Sequence, residues 1–332
     1  MPPTLSLSSS SPSTSVDLLI LGAGWTSTFL IPHLLSSHPS LSFAATTRDG
    51  RKVGGVETIE WAWDGEKEGS EQFEGLPRAR TVLVVFPIRG EEGSRRLVRG
   101  YEESVGGRVR WIQLGSTGIF DGGPTLAADP NARLSWTNRH SPYDTTNARA
   151  IAEDELLSMH EETFVLNLSG LWGGTRNPSN WIPRIAPTLE ALETKGSLHL
   201  VHGEDVARAV VAVHLSPSRS SSSPSSPDAK EKPLKGTRWV LTDLRVYDWW
   251  DLVSAHPSPL PPSPDSPSPS FHTHAGEHTP PHALWVQHLM RKHGVRSLPR
   301  TQEELGRAID SREFWEEFGL MPSKGRWEEG RA

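Results

Sequence analysis

The sequence predicts an α/β protein built on a doubly wound parallel sheet, with a small lobe in its C-terminal third. The first observation is an apolar strand pattern that runs through a glycine turn into a helix, within Val16–Leu35. The second is that strand and helix patterns then alternate as far as Leu215, which is typical of a parallel sheet with helices on both faces. The third is the length of 332 residues, which suffices for one large α/β domain with a subordinate lobe.

The first strand and turn have the pattern of a dinucleotide-binding site. The apolar run Val16–Leu21 leads directly into Gly22-Ala23-Gly24. A glycine at 22 allows the sharp turn, and a glycine at 24 lets the backbone approach a pyrophosphate. The fingerprint expects a third glycine at position 27, where Ser27 stands. A glycine turn that binds no ligand therefore remains the alternative interpretation.

The helix after this turn begins near Trp25 and Thr26. The first amides of a helix have no acceptor within the helix, and the helix dipole makes that end electropositive. We therefore expect the backbone at Gly24, Trp25 and Thr26 to bind an anionic group of a cofactor.

The second strand indicates which dinucleotide the site prefers. Leu41–Thr47 is short and apolar, and it ends at Arg48, with no acid before Asp49. An NAD site places an acidic residue about 20 residues after the glycines to hold the ribose, whereas an NADP site places an arginine against the 2′-phosphate. Thr47 and Arg48 therefore predict a preference for NADP(H) over NAD(H). The alternative is that Arg48 is an exposed loop arginine.

The remaining elements continue the alternation. Strands are predicted at Glu57–Trp63, Arg80–Ile88, Arg110–Leu114 and Thr163–Leu168, and helices at Ser94–Val105, Thr145–His160 and Asp205–Leu215. Arg80–Ile88 is apolar almost throughout, as expected for a strand buried on both faces. The helix at Thr145–His160 is predicted to have Ala, Ile and Leu on one side and charged residues on the other.

The C-terminal third contains further elements. A strand is predicted at Thr237–Leu241, helices at Tyr247–Val253, Leu284–His293 and Ser311–Phe318, and one more helix opened by a capping box at Thr301 and Glu304. In sheets of this class, such a lobe lies over the carboxyl ends of the strands, where ligands bind.

Three segments are rich in serine and proline and are predicted to be disordered: 1–15, 216–235 and 256–283. The resulting division is a tail at 1–15, a nucleotide-binding domain at 16–215, an insertion at 216–235, and a substrate lobe at 236–332 that 256–283 interrupts. The last segment contains His272, His274, His278 and His282. We predict no metal site there, because metal ligands need a rigid frame and partners that orient them.

Composition excludes several classes of protein. A net charge of −6 and the lack of a Lys/Arg run argue against a nucleic-acid partner. The absence of cysteine removes disulfides, thiolate nucleophiles and cysteine-based zinc sites. No apolar run approaches the roughly 20 residues that span a bilayer, and the first residues lack the features of a signal peptide. A cytoplasmic protein without a membrane partner is expected.

Several short motifs occur in a characteristic order. They are GAGW at Gly22–Trp25, TTR at Thr46–Arg48, GSTGIF at Gly115–Phe120, AIAEDELL at Ala150–Leu157, NLSGLWGG at Asn167–Gly174 and LVHGEDVARAV at Leu200–Val210. In this order the chain resembles the extended short-chain dehydrogenase/reductases, which include NAD(P)-dependent nucleotide-sugar epimerases and dehydratases. The resemblance implies a Rossmann-type sheet and a small-molecule substrate. It also allows a homodimer, because extended members often pair through helices.

The resemblance implies a role for particular residues. Phe86 and Pro87 end the segment that passes under the adenosine-ribose side of the cofactor. Ser116 and Thr117 occupy the position of the hydroxyl residue that hydrogen-bonds the substrate oxygen. His202 begins the His-x-x-Asp sequence that opens the helix closing the substrate cleft.

The catalytic pair of this family, Tyr-x-x-x-Lys on a helix, is missing. In the family the lysine lowers the pKa of the tyrosine, and the spacing places both groups on one helical face. Tyr143 with Asn147 keeps the phenol and loses the cation, whereas Thr145 with Arg149 keeps a cation and loses the phenol. We expect Tyr143 to be the best proton donor and Arg149 to clamp the cofactor ribose.

Two functions remain open on this basis. The first is an NADP(H)-dependent oxidoreductase or epimerase with an altered catalytic centre, which uses Ser116, Thr117, Tyr143 and Arg149. The second is a non-catalytic NADP(H)-binding sensor or scaffold. The lost lysine favours the second, and the retained Ser-Thr-Gly turn and cleft lobe favour the first.

Overall fold

A computed structural model describes residues 15–121, 136–218, 236–256 and 281–325. Seven strands form a parallel sheet: β1 (Ser15–Leu21), β2 (Phe43–Thr47), β3 (Ile59–Glu60), β4 (Arg78–Val84), β5 (Arg110–Ser116), β6 (Thr163–Leu168) and β7 (Thr237–Leu241). Their order is β7-β6-β5-β4-β1-β2-β3, so the predicted doubly wound Rossmann-type sheet is confirmed.

The direction of winding reverses beside β1. This strand pairs in parallel with β2 on one side, where Leu19 lies opposite Ala44, and with β4 on the other, where Leu19 lies opposite Val82. The chain therefore runs outward from β1 to β2 and β3, and returns to β4 on the opposite side. In open α/β sheets, ligands bind outside the carboxyl ends of the strands at such a reversal.

The longer helices are α1 (Ser27–Ser37), α2 (Gly93–Val105), α3 (Ala148–Met159), α4 (Gly203–Leu215), α5 (Trp249–Ala255) and α6 (Pro281–His293). Shorter α-helices span Ile182–Ile185, Leu189–Glu193, Gln302–Leu305 and Arg312–Glu317, and 3₁₀ turns span Glu71–Phe73, Thr117–Phe120 and Pro178–Trp181. Two-residue and three-residue strands pair locally at Trp136–Thr137 with Ala308–Ile309, Gly170–Trp172 with Leu200–His202, and Ser197–Leu198 with Tyr247–Asp248.

Two compact units make up the chain. The first comprises Met1–Leu114, Ile151–Val165 and Val213–Thr237, and the second comprises Gly115–Ala150, Leu166–Ala212 and Arg238–Ala332. The division at 215 and 236 expected from the sequence stays a prediction.

The first unit has its own apolar core. Leu19 and Val82, from the two central strands, and Trp111 from β5 are fully buried in it. Tyr101 packs edge to face on Trp111, with ring centroids 5.7 Å apart. A side chain at Gly100 would meet the Phe73 ring at 2.4 Å, so this helix position requires glycine.

The second unit packs around tryptophans. Trp172 and Trp250 are buried with Ile182 and Leu289 in a single cluster. The Arg300 guanidinium lies 3.7 Å from the centroid of the Trp250 ring.

An ion pair lies beside this cluster. Arg300 Nη2 is 2.7 Å from Asp248 Oδ1, and the Asp248 side chain is fully buried. The charge of Asp248 is compensated, as a buried carboxylate requires.

Several element boundaries differ from the sequence prediction. The strand predicted at Arg80–Ile88 spans Arg78–Val84, so it begins two residues earlier and ends four residues sooner than predicted. The strand predicted at Glu57–Trp63 is only Ile59–Glu60, and the helix predicted from Tyr247 begins at Trp249, after a two-residue strand. The capping box at Thr301 and Glu304 is confirmed.

The segments predicted to be disordered include, at their edges, residues that belong to the described structure. Ser15 belongs to β1, and Ser216 hydrogen-bonds Arg110 through its carbonyl oxygen at 2.8 Å. His282 lies in α6, fully buried, with Nε2 3.0 Å from the carbonyl oxygen of Ala186. Most of the remaining residues of these segments, including His272, His274 and His278, lie outside the described residues.

No described helix combines the length and the apolar character needed to cross a membrane.

Candidate functional site

A cavity of about 430 Å³ opens at the carboxyl ends of β1, β2 and β4, where the winding of the sheet reverses. All of its lining residues belong to the first unit. They are Gly22, Ala23, Gly24, Thr47, Arg48, Arg51, Trp61, Ala62, Trp63 and Phe86. The strand and turn predicted for cofactor binding therefore form one wall of a single pocket.

Gly22 is essential to the shape of this wall. Its φ is +75°, a conformation that side chains other than glycine rarely adopt, and a Cβ built on it would lie 2.7 Å from Phe86 Cδ1. Its amide donates to Thr46 Oγ1 at 3.0 Å, and the Ala23 amide donates to the Thr46 carbonyl oxygen at 2.7 Å. The turn is thus fixed to the end of β2 by protein contacts alone.

The next amides of the turn are directed differently. Within the described ranges, the amides of Gly24 and Thr26 make no hydrogen bond to the protein. A Cβ built on Gly24 would meet only the Gly22 carbonyl oxygen, at 3.8 Å, so glycine here leaves open space beside the backbone. This is the geometry that a close approach of a phosphate requires. Ser27, at the position of the missing third glycine, is fully buried.

The far end of the pocket carries positive charge. Arg48 is exposed and forms no ion pair with any residue that the structure describes. Arg51 lines the same cavity, and its Nη1 is 2.8 Å from Asp49 Oδ1. No acidic residue is among the lining residues.

Asp49 does not line the cavity and is paired with Arg51, which does. The pKa of Asp49 lies below its ordinary value: slight desolvation opposes this shift, and hydrogen bonds from Thr47 and Arg51 outweigh it. The carboxylate therefore stays ionised and remains paired with Arg51.

Three aromatic side chains close the pocket on one side. The rings of Trp63 and Phe86 stack with centroids 5.5 Å apart and an interplanar angle of 29°. The Trp61 indole is anchored by its Nε1, which donates to the Gln72 carbonyl oxygen at 2.7 Å. The Trp63 Nε1 is buried and has no hydrogen-bond partner in the described part of the chain. Neither tryptophan was predicted to line the pocket, although the alternating segment Glu57–Trp63 contains both.

The predicted cofactor residues divide into two groups. Gly22, Gly24, Thr47, Arg48 and Phe86 line the cavity. The other three, Trp25, Thr26 and Pro87, are not among its lining residues, and they stay predictions.

Trp25 packs on its own helix. Its ring lies 4.9 Å from that of Phe29, one turn further along α1.

The predicted catalytic residues all belong to the second unit. Ser116 ends β5, and its Oγ accepts a hydrogen bond from the Gly118 amide at 3.1 Å, which caps the following 3₁₀ turn. Thr117 is buried, and its Oγ1 donates to the Leu168 carbonyl oxygen at 3.4 Å. Both hydroxyls thus have structural contacts.

Arg307 is a neighbour of this turn that the sequence did not reveal. Its Nη2 donates to the Thr117 carbonyl oxygen at 3.2 Å, and it forms an ion pair with Asp121. Burial lowers the pKa of its guanidinium. No local pattern links positions so far apart in the chain, so the contact was not predictable.

Tyr143 does not lie on the helix that the spacing argument required. The helix predicted from Thr145 begins at Ala148, because the Asn147 Oδ1 accepts from the Arg149 amide at 2.9 Å and so caps it. Asp144 also accepts from the Thr146 amide at 2.9 Å, which holds a turn before the helix. Of the two registers that the sequence offered, the one that pairs Tyr143 with Asn147 on one helical face is therefore not formed.

The structure does supply a cation beside Tyr143. The Arg238 guanidinium lies 4.4 Å from the centroid of the Tyr143 ring, and the Phe120 ring packs edge to face on it at 5.8 Å. The expectation that Tyr143 lacks a cationic neighbour is thus wrong. Arg238 comes from β7, far from position 147 in sequence, and the four-residue rule therefore did not identify it.

His202 is a packed residue. A Cβ on Gly173 would lie 2.2 Å from its Nε2, and the Trp172 ring is 4.5 Å away. Its Nδ1 accepts from the Glu204 amide at 3.1 Å. Burial lowers the pKa of the imidazole, although Asp205 and Glu204 oppose this shift, so neutral His202 is favoured.

Solved structures with the same architecture span nearly the whole chain. A protein from Methylobacillus flagellatus described as an NAD-dependent epimerase/dehydratase is similar at 13% identity, over 95% of this chain and 96% of that one, with a TM-score of 0.54. A conserved protein of unknown function from Silicibacter pomeroyi is similar at 16% identity over the same shares, with a TM-score of 0.55. The UDP-glucose 4-epimerase of Thermus thermophilus, in complex with NAD, is similar at 14% identity, over 95% and 96%, with a TM-score of 0.51.

The chain has the fold of the NAD-dependent epimerases and dehydratases. At these identities the similarity establishes the fold and not the chemistry. No protein-family model matches the sequence, and no curated protein matches it.

Proposed function

We propose that this protein binds NADP(H) and acts as an oxidoreductase or epimerase on a small carbonyl or sugar-type substrate. The observation that carries the proposal is the pocket at the reversal of the sheet, which combines a glycine turn, open amides and Arg48. The residues at one end of the pocket suit a pyrophosphate, and those at the other end suit a 2′-phosphate and an adenine.

The glycine end suits a pyrophosphate. The amides of Gly24 and Thr26 have no acceptor among the described residues, and α1 directs its electropositive end towards them. The lack of a side chain at Gly24 leaves room for phosphate oxygens against the backbone.

The opposite end suits a 2′-phosphate and an adenine. Arg48 has no competing ion pair in the described structure, whereas Arg51 is engaged with Asp49, so Arg48 is the stronger candidate for the 2′-phosphate. Trp61 and Trp63 offer aromatic surface for a base. The neighbour from Thermus thermophilus is a complex with NAD, so the preference for NADP(H) rests on Arg48 and on the lack of an acid in the lining.

The second unit provides groups for proton transfer. Tyr143 carries the phenol, and the adjacent Arg238 guanidinium packs over its ring. Ser116 and Thr117 supply hydroxyls that orient a substrate oxygen, and Arg149 lies in the first turn of α3. The nicotinamide, when bound, supplies or accepts the hydride, and these residues hold or move the proton. Location in the cytoplasm and pairing with a second copy remain predictions.

Titration calorimetry with NADPH and NADH tests the cofactor assignment. We expect NADPH to bind about tenfold more tightly, and Arg48→Ala to remove most of this difference, because a guanidinium contact to phosphate contributes about 1.4 kcal/mol. Arg99→Ala is the matched control, since Arg99 is exposed on α2 and outside the pocket. Equal affinities for the two cofactors in the unaltered protein would refute the preference.

Turnover of NADPH with a panel of carbonyl and nucleotide-sugar substrates tests catalysis. We expect Tyr143→Phe to lower kcat at least tenfold with little change in NADPH affinity, because only the proton-transfer group is lost. Arg149→Ala should weaken cofactor binding. Activity that survives both substitutions would remove this catalytic assignment, and tight binding without turnover on any substrate would favour the sensor function instead.

A further inference from the structure

A second cavity, of about 440 Å³, lies at the amino ends of the same central strands, at the opposite edge of the sheet from the glycine turn. Ser15, Arg78 and Arg110, the first residues of β1, β4 and β5, all line it. Arg80 and Arg108 line it as well. We call it the arginine cavity. Four guanidiniums from neighbouring strands thus border a single cavity within the first unit.

One of the four arginines has a structural role. Arg110 is buried, and its Nη2 is 2.6 Å from Glu162 Oε2. Its Nη1 donates to the carbonyl oxygens of Val213, His214 and Ser216 at 2.8, 3.0 and 2.8 Å, and so satisfies the end of α4. The charge and the donors of Arg110 are therefore already used.

The other three arginines remain available. Arg80 and Arg108 are exposed and make no hydrogen bond or ion pair with the residues that the structure describes. Arg78 is also exposed, and its one side-chain hydrogen bond there is from Nη1 to the Val105 carbonyl oxygen at 3.3 Å. Three guanidiniums therefore have donors free to bind a ligand.

Nearby carboxylates cancel only part of this charge. Glu162 is paired with Arg110, and Asp17 is held by the Ser42 amide and hydroxyl at 2.9 and 2.7 Å. Glu161 lines the cavity and has no ion-pair partner among the described residues. Among the lining residues, four guanidiniums and two carboxylates leave an excess of two positive charges. The Asp17 carboxylate, which does not line the cavity but interacts with Arg80, reduces this excess without cancelling it.

A buried histidine beside the cavity is affected by the same charges. The pKa of His214 is lowered to about 4, chiefly by burial and further by Arg80 and Arg110, although Asp17 opposes this shift. His160, which lines the cavity, is engaged with Glu102 at 3.2 Å. The positive potential at this edge is therefore felt inside the fold.

We propose that the arginine cavity binds a small molecule that carries a phosphate group. Guanidinium groups match phosphate oxygens with paired hydrogen bonds, and a phosphomonoester near pH 7 carries close to two negative charges, which are opposite in sign to the charge of the cavity. A volume of about 440 Å³ suits a small metabolite. The site does not depend on the dinucleotide pocket, which lies at the other end of β1 and β4.

Calorimetric titration of the full-length protein with inorganic phosphate, and separately with glycerol 3-phosphate, tests the proposal. Ionic strength is held constant with sodium chloride and NADPH is present at saturation, so that screening and the glycine turn do not contribute. We expect saturable binding that weakens at least tenfold in Arg80→Gln/Arg108→Gln. Glu161→Gln should tighten binding several-fold, because it removes the opposing charge. Tighter binding of glycerol 3-phosphate than of inorganic phosphate would identify an organic phosphate as the ligand.

Two controls keep the result interpretable. Arg99→Gln alters an exposed arginine away from the cavity and should bind phosphate as the unaltered protein does. The double variant should retain its circular dichroism spectrum and its NADPH affinity, since both altered side chains are exposed. Absence of saturable phosphate binding in the unaltered protein, or equal affinity in the double variant, would overturn the proposal.

Discussion

At the scale of single residues, the pocket at the reversal of the sheet depends on a contact between the glycine turn and Phe86. Gly22 has a positive φ and lies against the Phe86 ring, and Thr46 accepts the Gly22 amide. The position of Gly22 directly after an apolar strand predicted its role in the turn. The ring and the hydroxyl that require it come from other strands, so the sequence did not predict their contacts.

Gly22→Ala should be among the more damaging single substitutions. A side chain at φ +75° is strained, and its Cβ would overlap the Phe86 ring, so we expect a loss of about 3 kcal/mol in the free energy of unfolding. Gly55→Ala is the matched control, because Gly55 has φ +88° but no atom within 4 Å of an added Cβ. The Gly55→Ala variant should lose about 1 kcal/mol in the free energy of unfolding, from backbone strain alone.

Urea denaturation of both variants measures the difference. Adding Phe86→Ala to Gly22→Ala should cost less than Phe86→Ala costs alone, because the overlap is gone. Equal losses at the two glycines would show that the Phe86 ring does not limit the turn.

At the scale of elements, two carboxylates of α3 make contacts that its sequence pattern did not predict. Glu153 is fully buried, and Glu155 caps the neighbouring helix α2: its Oε1 accepts from the Glu92 amide at 3.0 Å, and its Oε2 accepts from the Arg95 amide at 3.1 Å. The charged side of α3 therefore packs against the protein at these positions. Periodicity indicated the helix correctly, but it does not distinguish a carboxylate in water from one that satisfies another helix.

Glu155→Ala should destabilise the protein by about 1 kcal/mol, because it leaves two amides of α2 without acceptors. Glu103→Ala, at an exposed position of α2, should change stability little. Chemical denaturation monitored by tryptophan fluorescence compares the two. If both variants lose the same stability, the contact from α3 does not act as a cap.

At the scale of the whole molecule, local patterns predicted the sheet better than the sites. The bounds of β6 and β7 agree with prediction, since both strands are dominated by apolar or β-branched residues. Arg238 beside Tyr143, and Arg307 beside Thr117, could not be predicted, because each contact joins distant parts of the chain. The arginine cavity was missed for the same reason, as its arginines converge only when β4 and β5 pair.

The pH dependence of stability should reflect buried histidines. His214 is fully buried, its Nδ1 lies 2.8 Å from Thr81 Oγ1, and its pKa is lowered to about 4. Between about pH 6.5 and pH 4 the unfolded chain binds a proton here that the folded chain does not, so stability falls on acidification. From pH 7 to pH 5 this one residue should lower the free energy of unfolding by about 2 kcal/mol.

His214→Asn should lose less stability over this interval, since an amide can keep the contact with Thr81 without titrating. His288→Asn, at an exposed position, is the control. Burial raises the pKa of Asp243 to about 7, so its contribution to stability falls as the pH rises, opposite to that of His214. Only a comparison of variants therefore isolates the effect of His214. Equal acid sensitivity in His214→Asn and the unaltered protein would contradict the assignment.

The tie between Thr46 and the glycine turn also has a kinetic consequence. Since the amides of Gly22 and Ala23 are satisfied by the protein itself, the turn is preorganised and little entropy is lost in ordering it when a cofactor arrives. Different dinucleotides should then associate at similar rates, and selectivity among them should reside in their residence times.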